Sequence, residues 1–224
     1  MKFKLLVFDW DGTLMDSEAR IVDCVKAALA DLELPPRSHE EISNIIGLGL
    51  REAVNTLYPG ADDELLQNIV SRYRLHYFDE NRTPSPLFAG AREVIETLAS
   101  RDYLLAVATG KGRKGLNMVL EATGLKGYFH ATRCADETFS KPHPEMLTQI
   151  LDELGVFPHE ALMIGDTEYD LQMAAHAGMP AVAVSYGVHA VERLRRHEPL
   201  ACLDAVTEIP SWLQQRERAS VVAG

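Results

Sequence analysis

At 224 residues the chain is long enough for one sizeable core, or for a core domain carrying a smaller inserted one, and too short for two full-sized domains. Its 46% hydrophobic and 25% charged residues exclude the polar, charge-rich bias of a disordered chain. A formal net charge of -11 argues against a nucleic-acid binder, which needs a basic face, and admits a phosphorylated small molecule only where a metal or a placed lysine reverses the field locally.

The first element is Leu5-Leu6-Val7-Phe8, a continuous apolar run that predicts a fully buried strand and stops at Asp9-Trp10-Asp11-Gly12-Thr13. The two aspartates interrupt the run after four residues, so the N-terminus predicts no export signal, and no apolar stretch approaches the length of a membrane span. Beyond it, Ile21, Cys24, Val25, Ala28, Leu29 and Leu32 recur at spacings of three and four, the apolar face of a helix. Ser38 with Glu41 predicts a capping box, and Asp62 or Asp63 caps a further helix from about residue 64 to 78. The segment from about 16 to 83 therefore reads as a helical insertion. It returns through Thr83-Pro84-Ser85-Pro86-Leu87-Phe88-Ala89-Gly90, a stiff linker by its two prolines and glycine, beside the end of the first strand and over any site formed there.

Further apolar runs follow at Tyr103-Leu104-Leu105-Ala106-Val107-Ala108, Ala161-Leu162-Met163-Ile164 and Ala181-Val182-Ala183-Val184, with helical patterns at 114–123, at 144–154 and after Asp166. Buried strands alternating with helices predict an α/β fold with a doubly wound parallel sheet, which binds ligands at the carboxyl ends of its strands. Residues 1–15 and 84–224 make up this core, and 16–83 the small inserted helical domain. Cys24, Cys134 and Cys202 are odd in number, far apart and without CxxC spacing, which predicts reduced thiols in a cytoplasmic protein and neither a disulfide framework nor a zinc cluster.

The polar residues at these strand ends carry the chemistry. Asp9-Trp10-Asp11-Gly12-Thr13 is, taken alone, also a solvated turn. Thr109-Gly110-Lys111 fits a capping turn, Lys141 an exposed loop lysine, and Asp166 and Asp170 an N-cap and a first-turn acid. In this order, at successive strand ends, each brings a group that phosphoryl transfer requires. Trp10 reads as a core side chain and His143 as a loop-surface histidine.

These residues resemble the four motifs of the haloacid dehalogenase-like (HAD) hydrolase superfamily, and the insertion after the first motif resembles its type 1 cap, over nearly the whole chain from Phe3 to about Leu203. Within that superfamily the chain is similar to cap-bearing phosphatases such as phosphoglycolate phosphatase. The resemblance implies a Rossmann-like core and hydrolysis of a small phosphate monoester, phosphoglycolate-like or a sugar phosphate, through a phospho-aspartate. It implies that Asp9 is the nucleophile, that Asp11 is general acid and then base, that Thr109 and the Gly110 amide hold phosphate oxygens, and that Lys141 neutralises charge. It further implies magnesium (Mg2+) held by Asp9, the main-chain carbonyl of Asp11 and Asp166, with Asp170 as a direct or outer-shell support.

In the insertion, Gly47-Leu48-Gly49-Leu50-Arg51 resembles the loop that contacts the leaving group in such relatives, with Gly47 and Arg51 as binding residues, and equally fits a helix-helix turn. The implied partner is a small phosphorylated metabolite, with no nucleic acid and no membrane. Gly110 departs from the asparagine of many phosphoglycolate phosphatase relatives. Phosphoglucomutases share the same motifs, so a phosphotransferase is an alternative. A phospho-acceptor or non-catalytic binding protein is another, although receiver domains lack the Asp-x-Asp-Gly-Thr order and are shorter.

Overall fold

The computed structural model describes residues 3–79 and 83–222. Six strands, β1 (Leu5–Phe8), β2 (Leu104–Thr109), β3 (Ala131–Cys134), β4 (Ala161–Gly165), β5 (Ala181–Val184) and β6 (Cys202–Leu203), form one sheet in the order β3-β2-β1-β4-β5-β6. Every neighbouring pair is parallel, and Leu5 stands in register with Leu104 on one side and Ala161 on the other. The chain builds outward from β1 through β2 to β3, then crosses over to begin again at β4. The order thus reverses between β1 and β4, where a doubly wound sheet opens its ligand crevice.

The continuous apolar run of β1 has a direct cause. Leu6 and Phe8 face one apolar cluster while Leu5 and Val7 face the other, so a strand covered on both sides has no polar position to spare. In chain order the helices are α1 (Glu18–Asp31), α2 (His39–Ser43), α3 (Leu50–Leu57), α4 (Asp63–Tyr77), α5 (Ala91–Ala99), α6 (Arg113–Thr123), α7 (Glu145–Leu154), α8 (Glu168–His176), α9 (Val191–Arg195) and α10 (Ile209–Val222). Helices α5, α6 and α10 cover the Phe8 face; α7 and α8 cover the Val7 face. The apolar runs mark β1, β2, β4 and β5, whereas β3 and β6 carry no such mark in the sequence.

The first four helices lie between β1 and β2 and form a unit with its own apolar cluster, in which Ile21, Val25 and Leu29 of α1 meet Leu66 and Ile69 of α4. Its ends are set locally. Ser38 Oγ accepts from the Glu41 amide (3.1 Å) while Glu41 Oε2 accepts from the Ser38 amide (2.8 Å), and Asp62 Oδ1 accepts from the Leu65 amide (2.8 Å). The two connections to the sheet run side by side: the Asp16 amide donates to Pro86 O (2.9 Å), the Phe88 amide donates to Leu14 O (3.0 Å), and Met15 bridges Leu87. The helical unit therefore leaves and rejoins the sheet at one place, next to the residues that follow β1. Among the described residues no disulfide joins the cysteines, and no helix is long and apolar enough to cross a membrane.

Candidate active site

The turn after β1 is built around a backbone that only glycine adopts freely. Gly12 has φ +81°, and the Asp166 carboxylate occupies the space where a side chain would begin. Thr13 Oγ1 donates to Asp166 Oδ1 (2.8 Å) and the Val188 amide donates to Asp166 Oδ2 (2.8 Å), which fixes that carboxylate beyond the end of β4. Asp9 is anchored by its own amide, which donates to Ile164 O (2.9 Å). Two carboxylates from distant parts of the chain thus flank the crevice between β1 and β4. Trp10 turns into the core, as expected, with its ring nitrogen donating to Met15 Sδ (3.3 Å).

Lys141 brings the positive charge. Its side chain has no exposed surface, and its Nζ lies 2.6 Å from Asp170 Oδ1 and 2.7 Å from Asp9 Oδ1. The ammonium thus pairs with Oδ1 of Asp9, while the buried Oδ2 has no hydrogen-bond donor. Asp170 Oδ2 accepts from the amide (3.1 Å) and hydroxyl (2.7 Å) of Thr167, which makes Asp170 both the capping-box acid of α8 and the anchor of the lysine. Both of its oxygens are therefore engaged by protein.

Oxygens of Asp9, Asp166 and Asp170 all lie within 4.8 Å of one another, all three residues buried. One ammonium does not balance them. Burial pushes the Asp9 carboxyl well above the ordinary range; Lys141 opposes this, while Asp170 and Asp166 add to it. Burial and then Asp170 raise Asp166 to about 7. For Lys141 burial works downward, but Asp170 and Asp9 outweigh it and its pKa is raised. A surplus of buried negative charge, with Asp9 Oδ2 left without a donor, is the donor set that suits a hard divalent cation such as magnesium.

A second ion pair was not anticipated from the sequence. Lys111 Nζ contacts both oxygens of Asp11 (2.7 and 2.8 Å), and Ser17 Oγ donates to Asp11 Oδ1 (2.5 Å). The only signal for Lys111 was its position directly after Thr109-Gly110; nothing in the sequence pointed to Ser17. Thr109 is fully buried at the end of β2, its hydroxyl accepting from the Lys111 amide (3.2 Å).

The loop before α3 meets the core at a second glycine. A Cβ on Gly110 would stand 2.5 Å from the carbonyl oxygens of both Gly47 and Leu48, so the close approach exists only because no side chain is there. Gly47 itself has φ +101° and faces Thr167. Nearby, the Gly49 amide donates to Ser140 Oγ (2.7 Å) and the Tyr169 hydroxyl donates to Asn44 O (2.8 Å), seating the helical unit on the sheet. Arg51 belongs to the first turn of α3 and is half exposed, with its guanidinium 2.5 Å from Asp63 Oδ1. His143 is exposed and packs on Phe139.

Between the helical unit and the strand ends lies a cavity of about 920 Å³, with Asp9, Asp11, Gly47, Arg51, Gly110 and Lys111 among its lining. Asp9, Asp11, Thr109, Gly110, Lys141, Asp166 and Asp170 thus converge from the ends of β1, β2 and β4 and the loop before α7.

Residues 6–184 match the family model described as haloacid dehalogenase-like hydrolase. The probable phosphatase IndB of Dickeya dadantii (strain 3937) is 35% identical over 92% of this chain and 91% of its own. A phosphoglycolate phosphatase of Mannheimia succiniciproducens is 31% identical over 83% of this chain and 87% of its own. The crystal structure of a predicted phosphoglycolate phosphatase from Haemophilus somnus 129pt has a TM-score of 0.82 at 25% identity, covering 94% of this chain and 98% of that one.

Proposed function

The chain belongs to the haloacid dehalogenase-like hydrolase family, and from that premise we propose that it is a magnesium-dependent phosphatase hydrolysing a small phosphate monoester through a phospho-aspartate on Asp9. The observation that carries this reading is the buried carboxylate of Asp9, whose Oδ1 pairs with the Lys141 ammonium (2.7 Å) while its Oδ2 has no hydrogen-bond donor, in the wall of a cavity. That second oxygen is free to form a bond.

In the first step an Asp9 oxygen attacks phosphorus, the bond from phosphorus to the ester oxygen breaks, and Asp11, protonated once its pair with Lys111 opens, gives its proton to the departing oxygen. In the second, Asp11 takes a proton from water as the water oxygen attacks phosphorus, and the bond to Asp9 breaks to release phosphate. Thr109 and the Gly110 amide hold phosphate oxygens, and Lys141 offsets charge on Asp9 and the transferring group. Asp170 keeps Lys141 in position.

Asp9, Asp166 and the main-chain carbonyl of Asp11 would hold Mg2+, supported by Asp170. Bound there, the dication supplies the positive charge that the cluster lacks and helps to orient the phosphate. Residues 16–83 act as the cap that covers the leaving group, and residues 1–15 with 84–224 as the domain that performs the transfer.

Asp9→Asn preserves size and should preserve the fold while lowering magnesium-dependent phosphate release by at least about a thousandfold. Retention of a substantial share of wild-type turnover in that variant would remove the covalent route.

A further inference from the structure

The cavity holds about 920 Å³ even though Gly47, Leu48 and Gly49 already rest on the core, so its size does not come from a helical unit swung away. That is room for a drug-sized molecule. The phosphoryl group sits among Asp9, Asp11 and Gly110, and the remaining space falls to whatever departs with the ester oxygen.

One part of the wall is aromatic. Tyr73 and Tyr77 stack with ring centres 5.6 Å apart, and Phe78 meets Tyr77 edge-on at 5.5 Å. Much of the rest is aliphatic, including Ile21, Val25 and Ile46. The cations of the lining are turned to other partners: Lys111 to Asp11, Arg51 to Asp63, and Lys114 to the face of Phe78 (4.3 Å), while Arg74 stands exposed. Of the acids in the same walls, Asp136 accepts from the Arg113 amide (2.9 and 3.1 Å), and Glu52 adds negative charge. A second carboxylate on the substrate would find Lys111 and Arg51 already paired, whereas a flat uncharged ring needs no cation and gains apolar and aromatic contact.

We propose that the leaving group is a neutral, flat, aromatic alcohol, and not a short carboxylate-bearing one such as glycolate. The inference rests on the phosphatase reading above and names the substrate class of the same site.

The test compares specificity constants of the wild-type protein, with Mg2+, for naphthylmethyl phosphate, ethyl phosphate and phosphoglycolate. Naphthylmethyl and ethyl phosphate are both esters of primary alcohols, so the difference between them reads binding of the departing group more than its intrinsic reactivity. Naphthylmethyl phosphate should exceed each of the other two by at least about a hundredfold. Val70→Trp, which fills the half-buried wall of the cavity from α4, should reduce the naphthylmethyl-to-ethyl ratio at least about tenfold. The wild-type comparison decides the matter whether or not that variant folds. Equal constants, or a preference for phosphoglycolate, overturn the inference and leave the phosphatase reading intact; hydrolysis of none of the three overturns both.

Discussion

In the sheet core the Lys141 ammonium is wholly enclosed with Asp9 and Asp170, whereas in the helical insertion the Arg51 guanidinium is half exposed and pairs with an Asp63 side chain that is 82% exposed. The two ion pairs have similar lengths and opposite consequences. Water screens the second and would solvate either partner alone; the first has no water to fall back on, so each charge depends on the others. The core thus concentrates a surplus of negative charge that a bound cation would relieve. The insertion contributes shape and apolar surface instead.

Removing the buried cation should have the largest effect. Lys141→Met leaves Asp9, Asp166 and Asp170 without a counter-charge and is expected to cost about 3 to 5 kcal/mol of stability in chelator at pH 8, together with nearly all turnover. Urea unfolding checks it; a loss under about 1 kcal/mol would mean that the cluster is not strained.

Metal binding should relieve the same surplus in a pH-dependent way. Asp9 and Asp166 titrate higher in the folded, metal-free protein than in the unfolded chain, Asp166 at about 7. The folded state therefore binds protons more tightly, and its stability falls as pH rises from the ordinary carboxylate value of about 4 through about 7. Mg2+ at a fixed concentration a hundredfold above its Kd at pH 8 should raise Tm by roughly 5 to 10 °C at that pH, and by clearly less at pH 5, where protons compete for the same oxygens and weaken binding. A gain at pH 5 equal to that at pH 8 would speak against these carboxylates as the ligands.

The seat between the two regions is the next point of attack. Gly110→Asn pushes its Cβ against the carbonyls of Gly47 and Leu48 and should hold the insertion off the core, lowering kcat/KM about tenfold with little change in global stability. Steady-state kinetics beside a thermal melt separates the two effects, and unchanged kinetics would show that the seat is dispensable. Arg51→Ala should do least, keeping stability within about 1 kcal/mol of wild type. A larger loss on denaturant unfolding would mean that the insertion also relies on its charges.

The strands that were legible in the sequence are β1, β2, β4 and β5, each of which has a neighbour on both sides in the sheet. β3 and β6 are its edges. In β3, Thr132 and Arg133 are only half-buried and are tied to Arg113, Gln149 and Glu153, so an edge strand has no need of an unbroken apolar run. Helices between β1 and β2 were legible through their apolar spacing, the capping box at Ser38 and a cap at Asp62 or Asp63, of which the structure uses Asp62, because these signals are local.

Within the site, the sequence determined which residue types stand at the strand ends: Asp9 and Asp11 after an apolar run, Thr109 and Gly110 after another, Asp166 after a third. These follow from neighbours along the chain. What only the tertiary structure decided is which charge meets which: that Lys141 serves Asp9 and Asp170 while Lys111 serves Asp11, that Ser17 joins the latter pair, and that Gly110 is bare so that the Gly47-Leu48 backbone can rest on it. Such pairings depend on strand order and on how two separately packed units meet, and local spacing carries no information about either.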